Sequence, residues 1–472
     1  MMVSDGFGPA SETFARSYHQ YVHGLPYNYT TPLDAIHVGA SRTRSSSSLV
    51  TDSAAGATAF SCALKSYNAA IGVDPDGHPC GTVLEAAKAR KMYTGLVATS
   101  RITHATPAAF SAHVPHRDQE SAIAVQQIGD YPLGRTVDLM FGGGACFFKP
   151  KSSQNSCRTD ERDVLADARR LGWSLVQSRS EFDTLPADDA TKLPVLGLFA
   201  RSHMSYTIDR EPTKEPSLRE MAEKALSLLQ TAADRDDQGF FLMIEGSRID
   251  MAAHSNDPAA HVHDIEAYHE TIAAVRSFVD AHPDTVMVSV SDHETGGFTL
   301  GRQNGPEYPE YIWHPSVIHR VQNSTEKLAA TIATYDQTKR EAFVRDLVIK
   351  KWLGIQDAGR SDAAYIANPK RTLNEISDRL ADLVSTRAMV GWTTHGHSGV
   401  DVNLYAHGAE AEQLRGNHEN TDIGDFIARF LGLDLNSITQ TLTKNSTFMP
   451  AKPSKDDHQA STMADVMDFK HM

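Results

Sequence analysis

The sequence predicts an α/β fold with a large, mostly parallel central sheet and helices on both of its faces. Short, near-continuous apolar runs are typical of strands that are buried on both faces, and each run here ends in a polar or glycine-rich turn. Such runs occupy residues 1–3, 94–98, 137–141, 240–244 and 285–290. Helical patterns lie between them, among them 81–90, 218–233 and 264–281. Strands that alternate with helices indicate this layered architecture.

The candidate functional residues follow the predicted strands directly. Asp5 follows the first run, Glu245 the fourth, and Asp292 with His293 the fifth. In open α/β sheets, chemistry collects beyond the carboxyl ends of the strands. The sequence therefore places its candidate site at that end of the sheet.

Composition excludes several classes of partner. The 472 residues carry 40% hydrophobic and 22% charged residues, as in an ordinary globular protein. A formal net charge of −14 argues against nucleic acid or an anionic membrane surface as the main partner. It does not exclude a phosphate substrate, because bound metal ions reverse the local field. No apolar run reaches the ~18 residues of a membrane-spanning helix.

We expect one main domain over residues 1–448, with a helical insertion at 301–391 carried on the core sheet. The insertion is inferred from helical patterns at 326–352 and 373–389 that polar linkers join. Residues 449–472 are polar and aperiodic, which predicts a disordered tail. The chain starts abruptly inside a buried strand and shows no signal peptide. We therefore expect that an N-terminal segment, with any targeting signal or membrane anchor, has been removed.

Cysteines and glycosylation sequons favour a lumenal or secreted protein. The four cysteines are Cys62, Cys80, Cys146 and Cys157. Their two close-spaced pairs would suit local disulfides, but four cysteines permit three connectivities. Sequons for N-glycosylation begin at Asn28, Asn323 and Asn445.

The stretch 52–59 sets Ser53 directly after Asp52, on a run of small residues that predicts a turn entering a helix. A serine at a helix N-terminus faces unpaired backbone N–H groups and the positive end of the dipole, which favour an oxyanion. Aspartate or serine before an alanine-rich run is also an ordinary N-cap. The stretch alone is therefore compatible with Ser53 as a nucleophile and equally with an ordinary helix cap.

Acids and histidines at metal-ligand spacing form further clusters. Asp250 and His254 are four residues apart, on one face if helical, with Glu245 nearby in sequence. An exposed helix face would give the same pattern. Adjacent Asp292 and His293 just past a buried strand are costly to hold without partners, which favours ligands.

Two loops complete the set of candidates. His395 and His397 lie in a polar turn before an apolar run, where either could be a ligand or both could be surface residues. Asp5 precedes Gly6, a pair that is most often a simple turn. Neither a Gly-x-Ser-x-Gly elbow nor a phosphate-binding P-loop occurs, which counts against an α/β-hydrolase and against a P-loop protein.

Together these motifs resemble the alkaline phosphatase family. Six motifs occur in the family's order: Asp5-Gly6-Phe7-Gly8, Thr51-Asp52-Ser53-Ala54-Ala55, Thr106-Pro107-Ala108-Ala109, Glu245-Gly246 with Asp250 and His254, Asp292-His293, and His397-Ser398-Gly399. The variants at 4–9 and 245–250 look most like the fungal vacuolar branch. The resemblance implies an alkaline-phosphatase-like fold and a phosphomonoester hydrolase that forms a phosphoserine on Ser53 and releases inorganic phosphate and an alcohol.

The resemblance also implies two Zn²⁺ ions and one Mg²⁺ ion. Its implied ligand sets are Asp250, His254 and His397 for one zinc, Asp292, His293 and Asp5 for the other, and Asp5, Thr106 and Glu245 for magnesium. Arg117 would clamp two phosphate oxygens and Asp52 would orient Arg117. Imidazole suits zinc, whereas carboxylate and hydroxyl suit magnesium.

Three positions need comment within the resemblance. His104 stands where bacterial members of the family carry an aspartate near magnesium; the animal enzymes also have a histidine at this position. Met251 stands where other branches place a lysine or histidine that helps orient phosphate. His397 is preferred over His395 only because Ser-Gly follows it.

The expected partners are small-molecule phosphomonoesters and a second copy of the chain, in a vacuolar or secreted setting. One alternative is another enzyme of the same metal-binding superfamily, namely a phosphodiesterase or pyrophosphatase, a sulfatase, or a cofactor-independent phosphoglycerate mutase. The other is a non-catalytic or structural protein that retains the fold. The sequence after Ser53 lacks the x-Pro-x-Arg of a sulfatase. Diesterases of this type usually carry threonine at the nucleophile position.

Overall fold

The computed structural model describes residues 1–451, and a ten-stranded sheet forms their centre. The strands are β1 (Met2–Val3), β2 (His37–Arg42), β3 (Tyr93–Arg101), β4 (Leu139–Gly143), β5 (Ser174–Val176), β6 (Val195–Leu198), β7 (Phe240–Glu245), β8 (Val286–Val290), β9 (Glu294–Thr295), β10 (His397–Ser398), β11 (Val402–Gly408) and β12 (Gly416–Glu419). Their order in the sheet is β12-β2-β11-β8-β1-β7-β3-β4-β6-β5, while β9 and β10 pair separately.

The sheet is parallel except at β11, which runs antiparallel to both of its neighbours, β2 and β8. The prediction of a mostly parallel sheet is confirmed. The five predicted strands correspond to β1, β3, β4, β7 and β8, with boundaries that differ by a few residues. The central position belongs to β1, which pairs with β7 through Val3 and Glu245 and with β8 through Val3 and Val290.

Helices cover both faces of the sheet. They are α1 (Pro9–His23), α2 (Ser53–Cys62), α3 (Val83–Ala89), α4 (Ala105–Ser111), α5 (Glu120–Gln127), α6 (Val164–Arg170), α7 (Arg179–Thr184), α8 (Leu218–Asp236), α9 (Arg248–His254), α10 (Pro258–Ala281), α11 (Pro315–His319), α12 (Thr325–Thr334), α13 (Arg340–Phe343), α14 (Arg360–Ala367), α15 (Leu373–Ala388), α16 (Asn420–Phe430) and α17 (Leu435–Lys444).

Strand side chains alternate between two cores, as the period of a strand requires. In β7, Leu242 and Ile244 pack into the core that contains residues of α8 and α10. Phe241 and Met243 pack into the opposite core, with residues of α2, α3 and α16. Because both faces of β7 are apolar, its sequence reads as a continuous apolar run.

Between β9 and β10 the described chain forms helices α11–α15 and a π-helical segment, Val344–Trp352. The predicted single helix over 326–352 is wrong, because α12 ends at Thr334 and α13 begins at Arg340. Asp336 Oδ1 accepts hydrogen bonds from the backbone N (2.9 Å) and the hydroxyl (2.8 Å) of Thr338. Such local side-chain bonds compete with helical ones. That 301–391 is an insertion within one domain of 1–448 stays a prediction.

Two disulfides join neighbouring cysteines, Cys62 to Cys80 and Cys146 to Cys157. Of the connectivities left open by the sequence, the structure contains the two local pairs. The first disulfide ties the end of α2 to the loop before α3. Both bonds close short loops, of 18 and 11 residues in sequence separation.

The predicted tail lies outside the described residues except at 449–451, where Gln119 Nε2 donates a hydrogen bond to Ala451 O (3.0 Å). Through residue 451, none of the helices combines the length and the apolar character needed to cross a bilayer.

Asp257 joins α10 to α12, and we expect Asp257→Ala to lower the free energy of unfolding by about 2 kcal/mol. Its Oδ1 caps α10 through Ala259 N (3.0 Å) and Ala260 N (3.1 Å), and its Oδ2 accepts a bond from Thr325 N (2.7 Å). Urea unfolding followed by circular dichroism measures the loss.

The matched control for this prediction is Asp434→Ala. Asp434 caps the surface helix α17 through Ser437 N (3.0 Å), so its loss should cost only about 1 kcal/mol. Equal losses in the two variants would contradict a role for Asp257 in joining the helices.

Candidate active site

Three buried carboxylates lie at the carboxyl ends of three adjacent strands. Asp5 follows β1, Glu245 ends β7 and Asp292 follows β8, and all three side chains are buried. Because β8, β1 and β7 are neighbours in the sheet, the acids converge at one place. The prediction that the candidate residues meet at this end of the sheet is confirmed.

Burial and mutual repulsion disfavour the ionised forms of these acids. Burial raises the pKa of Asp5 well above its ordinary value, and the charges of Asp292 and Asp250 raise it further. Burial, with the charge of Asp250, raises the pKa of Asp292 to about 7. Burial also raises the pKa of Glu245, although His104, Ser247 and Thr106 beside it act in the opposite direction. The acids can be ionised together only if positive charge lies between them.

Several oxygens of the cluster lack a hydrogen bond of good geometry within residues 1–451. They are Asp5 Oδ2, Asp292 Oδ2, Glu245 Oε1 and Thr106 Oγ1. A buried polar atom without a partner costs about 1–3 kcal/mol. Four such atoms in one cluster therefore indicate a site built for cations.

Ser53 is the first residue of α2, as the sequence predicts, and Asp52 is its N-cap. Ser53 Oγ lies 3.0 Å from His293 Nε2 and 3.4 Å from Asp5 Oδ1. One turn further along the helix, a side chain on Gly56 would approach Asp292 Cβ to 2.8 Å. Glycine at this position lets α2 lie directly against the acid cluster.

A second group of ligand-type residues forms around Asp250. Helix α9 places Asp250 and His254 on one face, with His254 Nε2 3.3 Å from Asp250 Oδ2. His397, from β10, brings its Nε2 to 3.1 Å from His254 Nε2 and 3.8 Å from Asp250 Oδ1. Burial raises the pKa of Asp250, but His254 and His397 outweigh it and hold that pKa well below its ordinary value.

The two groups share His293. Its Nε2 lies 3.3 Å from Asp292 Oδ2 and 3.5 Å from Asp5 Oδ1. Donor atoms of Asp5, Asp292 and His293 lie within 4.8 Å of one another, and so do those of Asp250, His293 and His397. Burial, with neighbouring His397, lowers the pKa of His293 well below its ordinary value. The neutral imidazole is the form that binds a metal.

The geometry separates His397 from His395. His397 Nδ1 bonds to Thr51 O (2.8 Å), which turns Nε2 toward Asp250. His395 instead uses Nδ1 for a bond to His254 O (2.8 Å) and is more exposed. Both histidines thus have a backbone carbonyl on Nδ1, the usual support of a ligating histidine, but it is His397 whose Nε2 approaches Asp250 and His254. The choice of His397 over His395 as a ligand stays a prediction.

Arg117 lies over the same site. Its Nη1 is 3.3 Å from Asp52 Oδ2 and its Nη2 is 3.0 Å from His104 Nε2. Asp52 also accepts bonds from Ala55 N (3.0 Å) and Ala69 N (2.8 Å). Asp52 therefore fixes the start of α2 and the guanidinium of Arg117 at once, in agreement with its expected orienting role.

A cavity of about 550 Å³ opens above Ser53. Its lining residues include Arg117, Asp250, His254 and His397, and Met251 stands in its wall. Another cavity, of about 480 Å³, is lined mainly by apolar side chains at the amino ends of β1, β7 and β8. The ionisable groups gather in the first cavity.

Sequence reasoning missed the residues that hold the ligand loops together. Thr295 Oγ1 donates to Asp250 Oδ1 (2.5 Å) and lies 3.1 Å from His293 Nδ1. Ser291 Oγ donates to Ser4 O (2.5 Å) and accepts a bond from Phe7 N (2.8 Å). Apart from the contact between Thr295 and His293, these contacts join residues far apart in sequence. No local pattern could have signalled them.

Helix α12 also reaches the site. Glu326 forms two bonds of 3.0 Å with Arg248 Nη2, at the start of α9. The guanidinium of Arg248 lies 3.6 Å from the centre of the Tyr206 ring, and its Nη1 is 3.1 Å from Met251 Sδ. The helical region therefore supports α9, the helix that carries Asp250 and His254.

Fold and site together have the character of a metal-binding enzyme, with buried acids and histidines gathered at the carboxyl ends of the strands. The family model described as alkaline phosphatase matches residues 1–433. The repressible alkaline phosphatase of Saccharomyces cerevisiae is 47% identical over 464 residues, which cover 93% of this chain and 82% of the yeast protein. The alkaline phosphatase of Schizosaccharomyces pombe is 47% identical over 444 residues, covering 94% of this chain and 82% of its own length.

Solved structures agree. A cold-active alkaline phosphatase from a psychrophilic Shewanella species superposes with a TM-score of 0.77 at 31% identity, covering 91% of this chain and 98% of that one. A mutant alkaline phosphatase from the Antarctic bacterium TAB5, with Mg bound in its M3 site, superposes with a TM-score of 0.63 at 26% identity. The match covers 92% of this chain and 97% of the bacterial one. The chain belongs to the alkaline phosphatase family and is a phosphomonoester hydrolase.

Because Asp52 orients Arg117, we expect Asp52→Ala to raise the KM for p-nitrophenyl phosphate about tenfold, or ~1.4 kcal/mol. The guanidinium would lose its bond to Asp52, so the substrate would have to complete its ordering. Steady-state kinetics at saturating metal, with separate KM and kcat values, measures the effect.

Thr82→Ala is the control for this variant. Thr82 caps α3 by accepting a bond from Glu85 N (3.1 Å), so its loss removes a helix cap without touching Arg117. Thr82→Ala should lower the melting temperature and leave KM unchanged. A comparable KM rise in both variants would assign the effect to helix stability.

Proposed function

We propose that the chain hydrolyses phosphomonoesters through a phosphoserine on Ser53, with two zinc ions and one magnesium ion. The observation that carries the proposal is the position of Ser53. Ser53 begins helix α2, and its hydroxyl contacts Asp5 and His293. The hydroxyl faces a cavity that Arg117 also lines.

The donor atoms fit the proposed ions. Asp250, His254 and His397 for one zinc, and Asp292, His293 and Asp5 for the other, offer imidazoles and carboxylates, which suit zinc. Asp5, Thr106 and Glu245 offer only oxygen, which suits magnesium. The unpartnered oxygens of Asp5, Glu245, Asp292 and Thr106 support this assignment. When bound, such ions polarise a phosphate ester and bring the pKa of water down to about 7.

The chain's own groups prepare the nucleophile and its target. Backbone N–H groups at the start of α2 face an entering phosphoryl group, and the helix dipole favours its negative charge. Ser53 Oγ donates to Asp5 Oδ1 (3.4 Å), so the serine is held at the acid cluster. Serine needs such surroundings because it is a weak nucleophile at its free pKa.

Arg117 supplies binding and orientation. Its planar fork matches two oxygens of a phosphate, which a lysine point charge cannot do. In the first step the Ser53 Oγ–phosphorus bond forms as the bond to the alcohol oxygen breaks, and the alcohol leaves with a proton. In the second step water cleaves the phosphoserine, which returns Ser53 and releases inorganic phosphate.

We also propose a lumenal or extracellular setting, vacuolar in the fungal pattern. Disulfides such as the two in this chain form in oxidising compartments. Of the sequon asparagines, Asn28 and Asn445 are exposed. The side-chain amide of Asn445 donates to Thr441 O (3.0 Å), and that of Asn323 donates to Asp209 Oδ1 (3.2 Å). Asn28 is therefore the sequon best placed for a glycan.

A homodimer completes the proposal. Leu49, Val50 and Val400 are exposed apolar residues beside the loops that carry Ser53 and His397. A Cβ on Gly399 would lie 3.3 Å from Leu49 O and 3.7 Å from Val50 Cγ2, so the segments 49–50 and 399–400 are neighbours. Exposed apolar patches commonly mark contacts between proteins. A second copy of the chain is the partner that the family resemblance suggests.

We expect Ser53→Ala to abolish the acid-stable phosphoenzyme that ³²P-labelled substrate leaves on the wild type, because no other group would carry the phosphoryl. Ser61→Ala is the control, since Ser61 lies on the same helix and its Oγ donates to Ala109 O (2.6 Å). A labelled Ser53→Ala protein would refute the choice of nucleophile.

Chelation with EDTA should abolish p-nitrophenyl phosphate hydrolysis, and zinc with magnesium should restore it. Elemental analysis of Glu245→Gln should show zinc retained and magnesium lost, because Glu245 belongs only to the oxygen ligand set. Freshly purified active enzyme without zinc would contradict the proposal. Faster turnover of bis-p-nitrophenyl phosphate than of the monoester would instead favour a diesterase.

A further inference from the structure

A second cluster of metal-type side chains lies between α1 and α10, apart from the active-site residues. His19 and His23 are four residues apart near the end of α1, so they project from the same face. Their ring centres are 4.3 Å apart. Glu266 approaches them from α10, with Oε1 3.1 Å from His19 Nδ1. One donor atom from each of the three residues lies within 4.8 Å of the others.

Neighbouring side chains hold two of these three groups in place. Glu266 Oε2 lies 3.4 Å from His263 Nδ1, so both carboxylate oxygens face imidazoles. The Tyr29 ring stacks on His19, with centres 5.3 Å apart and planes inclined by 25°. Such outer contacts orient metal ligands and set their basicity. The arrangement is thus partly organised before any ion arrives.

Partial burial strengthens the case. The side chains of His19 and Glu266 are 32% and 22% exposed, so the carboxylate is partly withdrawn from water. A carboxylate is the anionic ligand that this position offers to a cation.

We propose that His19, His23 and Glu266 form a peripheral site for a divalent transition metal, with zinc as the expected ion. Two imidazoles and a carboxylate suit zinc, nickel or copper and suit calcium or magnesium poorly. Three protein ligands leave a fourth position for water. His263 orients the Glu266 carboxylate from outside.

The site would act as a clamp between two helices. Helices α1 and α10 are already joined by Ser11 Oγ to His261 Nε2 (2.8 Å) and by His269 Nε2 to Glu12 Oε2 (2.8 Å). Helix α1 follows the Asp5 loop, and α10 follows the helix that carries Asp250 and His254. A metal at this position stabilises the frame behind the active site without touching substrate.

The test compares zinc binding and thermal stability in the holoenzyme and in His19→Ala/His23→Ala. After equilibrium dialysis against graded free zinc with magnesium present, the wild type should hold one more zinc per chain than the variant. Added zinc should raise the melting temperature of the wild type above that of the enzyme with only its active site filled. The variant should lack this rise and keep its monoesterase activity.

Two further variants keep the test decisive. His37→Ala/His407→Ala removes two histidines on other elements and should behave as the wild type. Glu266→Gln preserves shape and should weaken the extra zinc by at least about tenfold, and it decides the matter if the double alanine variant does not fold. Equal zinc uptake and equal melting shifts in wild type, His19→Ala/His23→Ala and Glu266→Gln would overturn the proposal.

Discussion

The gathering of buried carboxylates at the ends of β8, β1 and β7 is the constraint on which the rest of the structure depends. Asp292, Asp5 and Glu245 repel one another, and burial removes the water that would screen them. Packing supplied by the sheet and both helical layers must hold them together. Cations bound between the carboxylates would remove this repulsion. The fold that gathers the acids therefore also accounts for the metal dependence of the family.

Close backbone approach delivers the ligands to this point. Gly56 lets α2 lie against Asp292, and Gly6, at φ +74°, lets the Asp5 loop pass the Asp250 backbone, where a Cβ would come within 2.6 Å of Asp250 Cα. Ser291 then bonds the Asp5 and Asp292 loops together. Side chains from four separate segments of the sequence meet because small residues allow the backbones of these segments to touch.

Sequence reasoning succeeded where one local rule decides the outcome. The central strands, such as β7, are apolar on both faces and are visible as runs. The edge strand β12 and its neighbour β2 were missed because their short, polar or glycine-containing sequences form strands only through pairing. Likewise Asp5, Glu245 and Asp292 could be read from their positions after strands. Thr295 and Glu326 could not, because their importance rests on contacts that only the folded chain creates.

The same type of side chain behaves differently in the two halves of the site. Histidines surround Asp250 and lower its pKa, whereas Asp5 faces other acids and its pKa rises. The half around Asp250 therefore offers imidazole nitrogen, whereas the proposed magnesium ligands Asp5, Thr106 and Glu245 offer oxygen. Ser53 stands at the boundary, since its hydroxyl contacts Asp5 on one side and His293 on the other. Under the proposed mechanism, a nucleophile placed there would meet both kinds of cation chemistry at a single oxygen, and these two contacts distinguish Ser53 from a serine that only begins or caps a helix.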